Sequence, residues 1–263
     1  MGVLRAEVNG IAADPEVWRT AQWFGHFTFM QVRGPGRAVV GWRRHLSRLS
    51  GASWELFGRA PGPELVTERV LGALRGMPEA VSLRINAFWR GGVPEEPVEP
   101  DLLITVSDPE PAEALPPLRV RIAEYERDLP HLKHVDFLGV LHRRRLARAA
   151  GFDDVLFRDR RGRISEGSLW NVAFWDGRRV VWPDAAHLPG ITMQVLAEGL
   201  DRIGVPQATE PVGSGDLRGM RAAFAVNSIR PAQPIGVLDN VRLPGGTGVL
   251  DRAVAAVPAE EIS

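Results

Sequence analysis

Cysteine is absent from these 263 residues, tyrosine occurs once, and lysine occurs once. Without cysteine there is no disulfide, no thiolate nucleophile and no thiolate-held metal, and the site is expected to hold no metal. No apolar run approaches the roughly 20 residues that a bilayer-spanning helix requires, so no membrane partner is expected. An excess of either charge is missing as well, with 32 basic residues balancing 32 acidic ones. A neutral surface draws neither nucleic acid nor an anionic membrane, so no nucleic-acid partner is expected either. The opening Met1 to Val8 is too polar for the apolar core of an export signal. Position 6 is Ala, where a myristoylation signal carries Ser or Thr. The expected compartment is cytoplasmic.

The near-absence of lysine is informative because arginine is plentiful, supplying 31 of the 32 basic residues. Arginine serves surface charge and ion pairing as well as lysine does. It cannot offer a primary amine to an aldehyde, nor lose its proton near neutral pH. A single lysine kept in such a background, Lys133, is therefore a candidate for covalent chemistry; the plain alternative is a stray surface residue.

Hydrophobic residues make up 44% and charged residues 24%, an ordinary mixture for a globular chain. Val3 to Val8, Phe24 to Val32 and Ala38 to Val40 read as strands. Gly41 to about Gly58 and Leu65 to Leu74 read as helices, and Val81 to Phe88 and Leu102 to Val106 as strands. Four prolines and three acids between Asp108 and Pro117 predict a stiff, exposed linker. Beyond it, Leu118 to Ile122 is expected as a strand. Asp136 to Ala150 is expected as a helix with Leu138, Leu141, Leu146 and Ala149 on one apolar face. Strands then follow at Asp154 to Phe157, Leu169 to Trp175, Arg179 to Trp182 and Ala222 to Val226. Helices are expected at Ile191 to Ile203 and Val249 to Val257. Helices mixed with short strands on both sides of a linker predict an α+β protein of two domains, 1–108 and 118–263, joined by residues 109–117.

Three segments of the second domain have a joint chemical meaning. Lys133 lies in Leu129-Pro130-His131-Leu132-Lys133-His134-Val135-Asp136, just ahead of a helix. Glu166 lies in Ile164-Ser165-Glu166-Gly167-Ser168-Leu169-Trp170-Asn171, expected at a tight turn between strands. Leu188-Pro189-Gly190-Ile191-Thr192 precedes a helix whose first N–H groups are open to an anion. An amine, an acid and an anion-binding helix end are what pyridoxal 5′-phosphate (PLP) needs for its aldehyde, its pyridine nitrogen and its phosphate. Each has a plainer reading: Glu166 as a turn residue, Thr192 as a helix cap, Asn171 as a backbone-bonding residue.

The order Lys, Glu-Gly-Ser-x-x-Asn, Leu-Pro-Gly-Ile-Thr resembles the class IV, or fold-type IV, PLP enzymes, which include branched-chain and D-amino-acid aminotransferases and 4-amino-4-deoxychorismate lyase. His45-Leu46-Ser47-Arg48-Leu49 is similar to the family segment that holds the PLP phosphate. Asn227-Ser228-Ile229-Arg230-Pro231 is similar to its last active-site loop. The likeness runs from about Phe24 to Ile235. It implies a small N-terminal α/β sandwich, a larger C-terminal pseudo-barrel, PLP in the cleft between them, and a homodimer. It further implies that Lys133 forms the internal aldimine, that Glu166 pairs with the pyridine nitrogen, and that Arg48, Ile191, Thr192 and Ser228 bind the phosphate. Arg230 and Arg33 are implied as receptors of substrate carboxylate. The family's tyrosine near the cofactor's phenolic oxygen has no counterpart, since Tyr125 is the only tyrosine and precedes Lys133.

The activity implied first is amino transfer between an amino acid and a 2-oxo acid, which Ser228 suits. A lyase releasing pyruvate is the alternative, because the segment from Lys133 to Leu138 is nearer to the lyase and D-amino-acid branches than to the branched-chain enzymes. A catalytically silent relative serving as an interaction protein is a third reading, opposed by the joint presence of Lys133, Glu166 and Arg48.

Overall fold

The computed structural model describes residues 2–111, 115–245 and 247–263. Part of the expected linker, residues 112–114, lies outside the described residues. The chain divides into two compact units.

The first unit is built on alternation. Strands β1 (Val3–Val8), β2 (Ile11–Ala12), β3 (Gly25–Val32), β5 (Val81–Phe88) and β6 (Asp101–Ser107) form one antiparallel sheet, ordered β2-β1-β6-β5-β3. Between them run helix α1 (Pro15–Thr20), the short strand β4 (Ala38–Val39), and helices α2 (Trp42–Phe57) and α3 (Pro63–Ala73). Successive strand residues point to opposite faces. Met30, Val32, Leu83, Ile85, Ile104 and Val106 consequently share one core with Trp42, Leu49 and Phe57 of α2 and Val66 and Val70 of α3. On the opposite face α1 packs against the sheet through Val8, Val17, Ala21, Phe88 and Leu103. Towards β5 and β3 that face carries Gln31, Ser82, Arg84 and Asn86 beside Phe27 and Phe29.

The second unit closes on itself. Its strands are β7 (Leu118–Glu124), β8 (Asp154–Arg158), β9 (Ile164–Gly167), β10 (Asn171–Trp175), β11 (Val180–Pro183), β12 (Gln207–Glu210), β13 (Ala222–Val226), β14 (Gln233–Leu238) and β15 (Val241–Arg242). The sheet runs β12-β11-β10-β13-β14-β7-β8-β9, with β15 on β14. Strand β9 returns to β10, which closes six of the strands into a barrel. The closing register pair is Glu166 with Asn171, so the Glu-Gly-Ser-x-x-Asn motif is the seam of the barrel. Val120, Leu156, Ile164, Trp170, Val172 and Phe174 belong to one apolar cluster. Helices α5 (Ile191–Arg202) and α6 (Val249–Ala255) pack on the β10–β13 region through Leu196, Leu200, Val249 and Ala253.

Helix α4 (Leu138–Ala149) corrects one sequence expectation. Its buried residues are Val140 and Ala147, packed with Val155 and Phe157. Leu138 is 80% exposed, and Leu141 and Leu146 are 45% exposed each. Two stripes of this helix are apolar, and the shorter side chains lie nearer the sheet.

The first unit also takes in two later segments. Leu132–Asp136 belongs to the first unit, as does Ala259–Ser263, whose strand β16 (Glu260–Glu261) pairs with β4. Backbone hydrogen bonds explain the first return. Phe27 N donates to Lys133 O (2.9 Å) and Val135 N to Gly25 O (3.1 Å), so the lysine segment extends the edge of β3.

Among the described residues no helix is long and apolar enough to cross a membrane.

Candidate active site

In the first unit, Lys133 and Arg48, 85 positions apart in sequence, converge on one buried histidine. Helix α2 buries Trp42, His45, Leu49, Ala52, Ser53 and Phe57, a spacing of three and four that defines a single face. His45 is 2% exposed and hydrogen-bonds through Nδ1 to Thr28 Oγ1 on β3. Burial, then the charges of Arg48 and Lys133, lower its pKa to about 3. Arg48 is one turn further on and is half-buried; burial lowers its guanidinium to about 10. The Lys133 Nζ lies 4.9 Å from the centre of the Phe27 ring.

His26 forms a second buried pair, with Nε2 and Ser53 Oγ 2.9 Å apart, and burial alone lowers its pKa to about 3. Both histidines are neutral in the fold, whereas in the unfolded chain they take up a proton near pH 6.5. Protonation thus favours the unfolded chain, and stability falls as pH drops from 6.5 towards 3. Between pH 7 and 5 the loss is about 2 kcal/mol for each histidine, which urea unfolding at the two pH values will register. The variant His45→Gln should lose its share of that difference; a pH dependence equal to the parent's would refute the assignment.

In the second unit, hydrogen bonds stitch two motifs together. Leu188 N donates to Glu166 Oε2 (3.2 Å), and Asn171 Nδ2 donates to Leu188 O (2.8 Å). A Cβ on Gly190 would lie 1.9 Å from Asn171 Oδ1, so only glycine permits this approach. Gly167 is required in the same way, because its Cβ would fall 2.1 Å from the Trp170 ring. Asn171 is thus a backbone-bonding residue, as expected. Glu166 is not in a turn but in strand β9, where it pairs with Asn171 of β10 and its side chain is buried.

The other carboxylate oxygen, Glu166 Oε1, accepts from Arg127 Nη1 at 3.1 Å, both side chains being less than a tenth exposed. Arg127 went unnoticed in the sequence. It follows Glu124-Tyr125-Glu126, which has the composition of a solvated run, and only the fold brings it to Glu166 across 39 positions. Tyr125 itself is packed between Phe157 and the guanidinium of Arg143.

Helix α5 begins at Gly190 with no side-chain cap, so its first N–H groups, including that of Ile191, are not taken up by one. Thr192, in its first turn, is buried and places Oγ1 3.4 Å from Ser228 Oγ. Ser228 lies in a loop ordered by Asn227, whose Oδ1 accepts from Ile229 N and Arg230 N at 2.9 Å each. An uncapped helix end flanked by two hydroxyls has the chemistry to hold an anion.

Lys133 and Arg48 therefore belong to the first unit, and Glu166, Ile191, Thr192, Ser228 and Arg230 to the second. Arg230 is half-buried in the Asn227 loop. Arg33 is exposed just beyond β3, six residues from Phe27, or about 20 Å of extended strand.

The family model of amino-transferase class IV matches residues 25–237. No curated protein matches the sequence. Among solved structures, the branched-chain aminotransferase of Thermoproteus uzoniensis with norvaline superposes with a TM-score of 0.83 at 19% identity, covering 97% of this chain and 94% of the other. A hypothetical aminotransferase from Mycobacterium tuberculosis in its PLP-bound form gives 0.79 at 19% identity, covering 97% and 99%. A candidate 4-amino-4-deoxychorismate lyase from Legionella pneumophila gives 0.75 at 19% identity, covering 88% and 89%. At such identities these likenesses establish the fold, which is that of the fold-type IV enzymes.

Proposed function

The chain belongs to the amino-transferase class IV family, whose members are PLP-dependent enzymes, and from that premise we propose that it moves an amino group between an amino acid and a 2-oxo acid. The observation carrying this reading is the setting of Lys133. The only lysine in the chain lies over Phe27, with Arg48 as a fellow neighbour of His45.

The donor set fits PLP on its own chemistry. When bound, PLP supplies an aldehyde for covalent attachment and a pyridine ring that accepts electrons. Lys133 offers the amine for attachment and, once released, a base for the substrate's Cα proton. Glu166, with both oxygens already oriented by Arg127 and Leu188 N, keeps lone pairs to accept a proton-bearing ring nitrogen. Arg48, the Ile191 N–H, Thr192 and Ser228 are the phosphate ligands of this reading. Arg230 is favoured over the exposed Arg33 as a substrate-facing cation. The same reading implies a cytoplasmic homodimer, which sedimentation of the purified enzyme tests.

Loss of a charged phosphate partner costs about 2 kcal/mol, roughly 30-fold in affinity. Arg48→Ala is therefore expected to need at least that much more PLP for half-saturation, read by titrating the cofactor's absorbance. An unchanged titration would remove Arg48 from the site.

The activity is tested by offering both enantiomers of a panel of amino acids with 2-oxoglutarate or pyruvate and following the new amino acid formed. If 4-amino-4-deoxychorismate alone is consumed, with release of pyruvate, the enzyme is a lyase and the amino-transfer reading fails.

A further inference from the structure

In the second unit, strands β11 and β12 and helix α5 border a cavity of about 340 Å³. Alternation along β11 turns Val181 towards the cluster of Val172 and Phe174, and Trp182 towards Leu196 and Leu200 of α5. The apolar walls of the cavity are Trp182, Ala208 of β12, Pro189 ahead of α5, and Met193 and Ala197 of α5. Hydrogen bonds fix this wall. Trp182 Nε1 donates to Gln207 Oε1 at 2.9 Å, and Gln207 Nε2 donates to Ala197 O at 2.9 Å and to Asp201 Oδ1 at 2.7 Å. The indole is thereby tied to both β12 and α5. Ala197 and Ala208 contribute only a methyl group each, and the space they leave open belongs to the cavity.

The polar groups at the cavity restrict what it can take. No carboxylate, guanidinium or amine lines it, so an ion would enter without a counter-charge. Its polar residues are His187, Gln194, Gln207 and Thr209, and Gln207 is already engaged by the wall. His187 Nδ1 lies 2.7 Å from Ala185 O. A carbonyl only accepts, so the neutral ring carries its proton on Nδ1 and keeps Nε2 as an acceptor. The matching ligand is uncharged and largely apolar, with one N–H or O–H to donate to His187.

None of the lining residues is one assigned above to PLP, yet they adjoin the groups that support those residues. His187 and Pro189 flank Leu188, whose N–H is donated to Glu166 Oε2 and whose carbonyl accepts from Asn171 Nδ2. Met193 follows Thr192 in the first turn of α5, and Gln194 Nε2 donates to Pro189 O at 3.0 Å. A molecule bound against residues 187–194 steadies the segment that also orients Glu166 and opens α5.

We propose that this cavity is a second binding site, for a small neutral aromatic molecule with one hydrogen-bond donor, and that its occupation strengthens PLP binding. The coupling, unlike the binding, rests on the reading that Glu166 and the start of α5 hold PLP.

The test uses indole as the probe, with 1-methylindole lacking the donor and indole-3-acetate adding a charge. Binding to the full chain is measured by calorimetry. The parent should bind indole saturably and 1-methylindole roughly 5-fold more weakly, the scale of one hydrogen bond, with indole-3-acetate weaker than indole as well. His187→Phe should bring indole down to the level of 1-methylindole. Ala197→Met fills the cavity while keeping the backbone carbonyl that Gln207 uses, so it should abolish binding with little change in the thermal midpoint. Ala208→Ile fills the same space from the strand and repeats the test independently. Saturating indole should lower the PLP concentration at half-saturation about 5-fold in the parent and not in Ala197→Met. Indole that fails to saturate, or that binds both filled variants as well as the parent, overturns the site. Saturable binding that leaves PLP half-saturation unchanged overturns the coupling. A protein that takes up no PLP sinks the cofactor reading instead, and indole binding still tests the site. The coupling is then read from hydrogen exchange of the Leu188 N–H, which bound indole should slow, and an unchanged rate overturns it.

Discussion

Borohydride treatment of the PLP-loaded enzyme is expected to leave one stable pyridoxyl group per chain, on the peptide containing Lys133. Only two amines compete for it, the single lysine and the chain's α-amino group. The latter titrates near 8 but lies outside every motif that offers phosphate or pyridine partners. Replacement of the lysine is equally decisive. In Lys133→Arg the positive charge over Phe27 is kept, and the backbone bonds of the segment to Phe27 N and Gly25 O do not involve the side chain. The variant should therefore fold, and circular dichroism and thermal unfolding should match the parent closely. A guanidinium is not a nucleophilic amine, so covalent attachment and turnover should both fall to background. Lys133→Ala should also lose the covalent link, while binding PLP reversibly through Arg48 and Glu166. An active Lys133→Arg enzyme, or an adduct found only at the N-terminus, would overturn the assignment.

What could be read from the sequence, and what could not, follows from how far each interaction reaches along the chain. Strand β3, helix α2 and helix α5 were legible because alternation and a spacing of three and four are local patterns. The uncapped start of α5 was legible as well, since Gly190 offers no side chain. The orientation of α4 was not. The apolar stripe through Leu138 and Leu141 looks stronger than the one through Val140 and Ala147, and only the packing against Val155 and Phe157 decides between them. Glu166 was found as a chemical group but misplaced in a turn, because the barrel that the β9–β10 seam closes depends on pairings far apart in sequence, β10 with β13 and β14 with β7. Its partner Arg127 was hidden for the same reason.

The Arg127–Glu166 pair makes the second large effect separable into two parts. Glu166→Gln replaces one acceptor oxygen by a donor NH2, which must then face either Arg127 Nη1 or Leu188 N–H. It also takes the carboxylate charge away from the buried Arg127 guanidinium, which lowers stability. Turnover should fall roughly 100-fold or more, because a neutral amide cannot hold a proton on the cofactor's ring nitrogen as a carboxylate does. Two explanations for lost activity, damage to the fold and loss of the anion, are distinguished by the double variant Arg127→Met with Glu166→Gln. Removing the cation that has lost its carboxylate should restore much of the unfolding midpoint, while turnover stays low. A cofactor analogue with carbon in place of the ring nitrogen gives an independent check. With that analogue the parent and Glu166→Gln should turn over at similar rates, since the group on which Glu166 acts is gone. If the double variant instead regains parental turnover with PLP, or if Glu166→Gln remains far slower with the analogue, then Glu166 serves only to brace the barrel seam against Leu188 and Arg127.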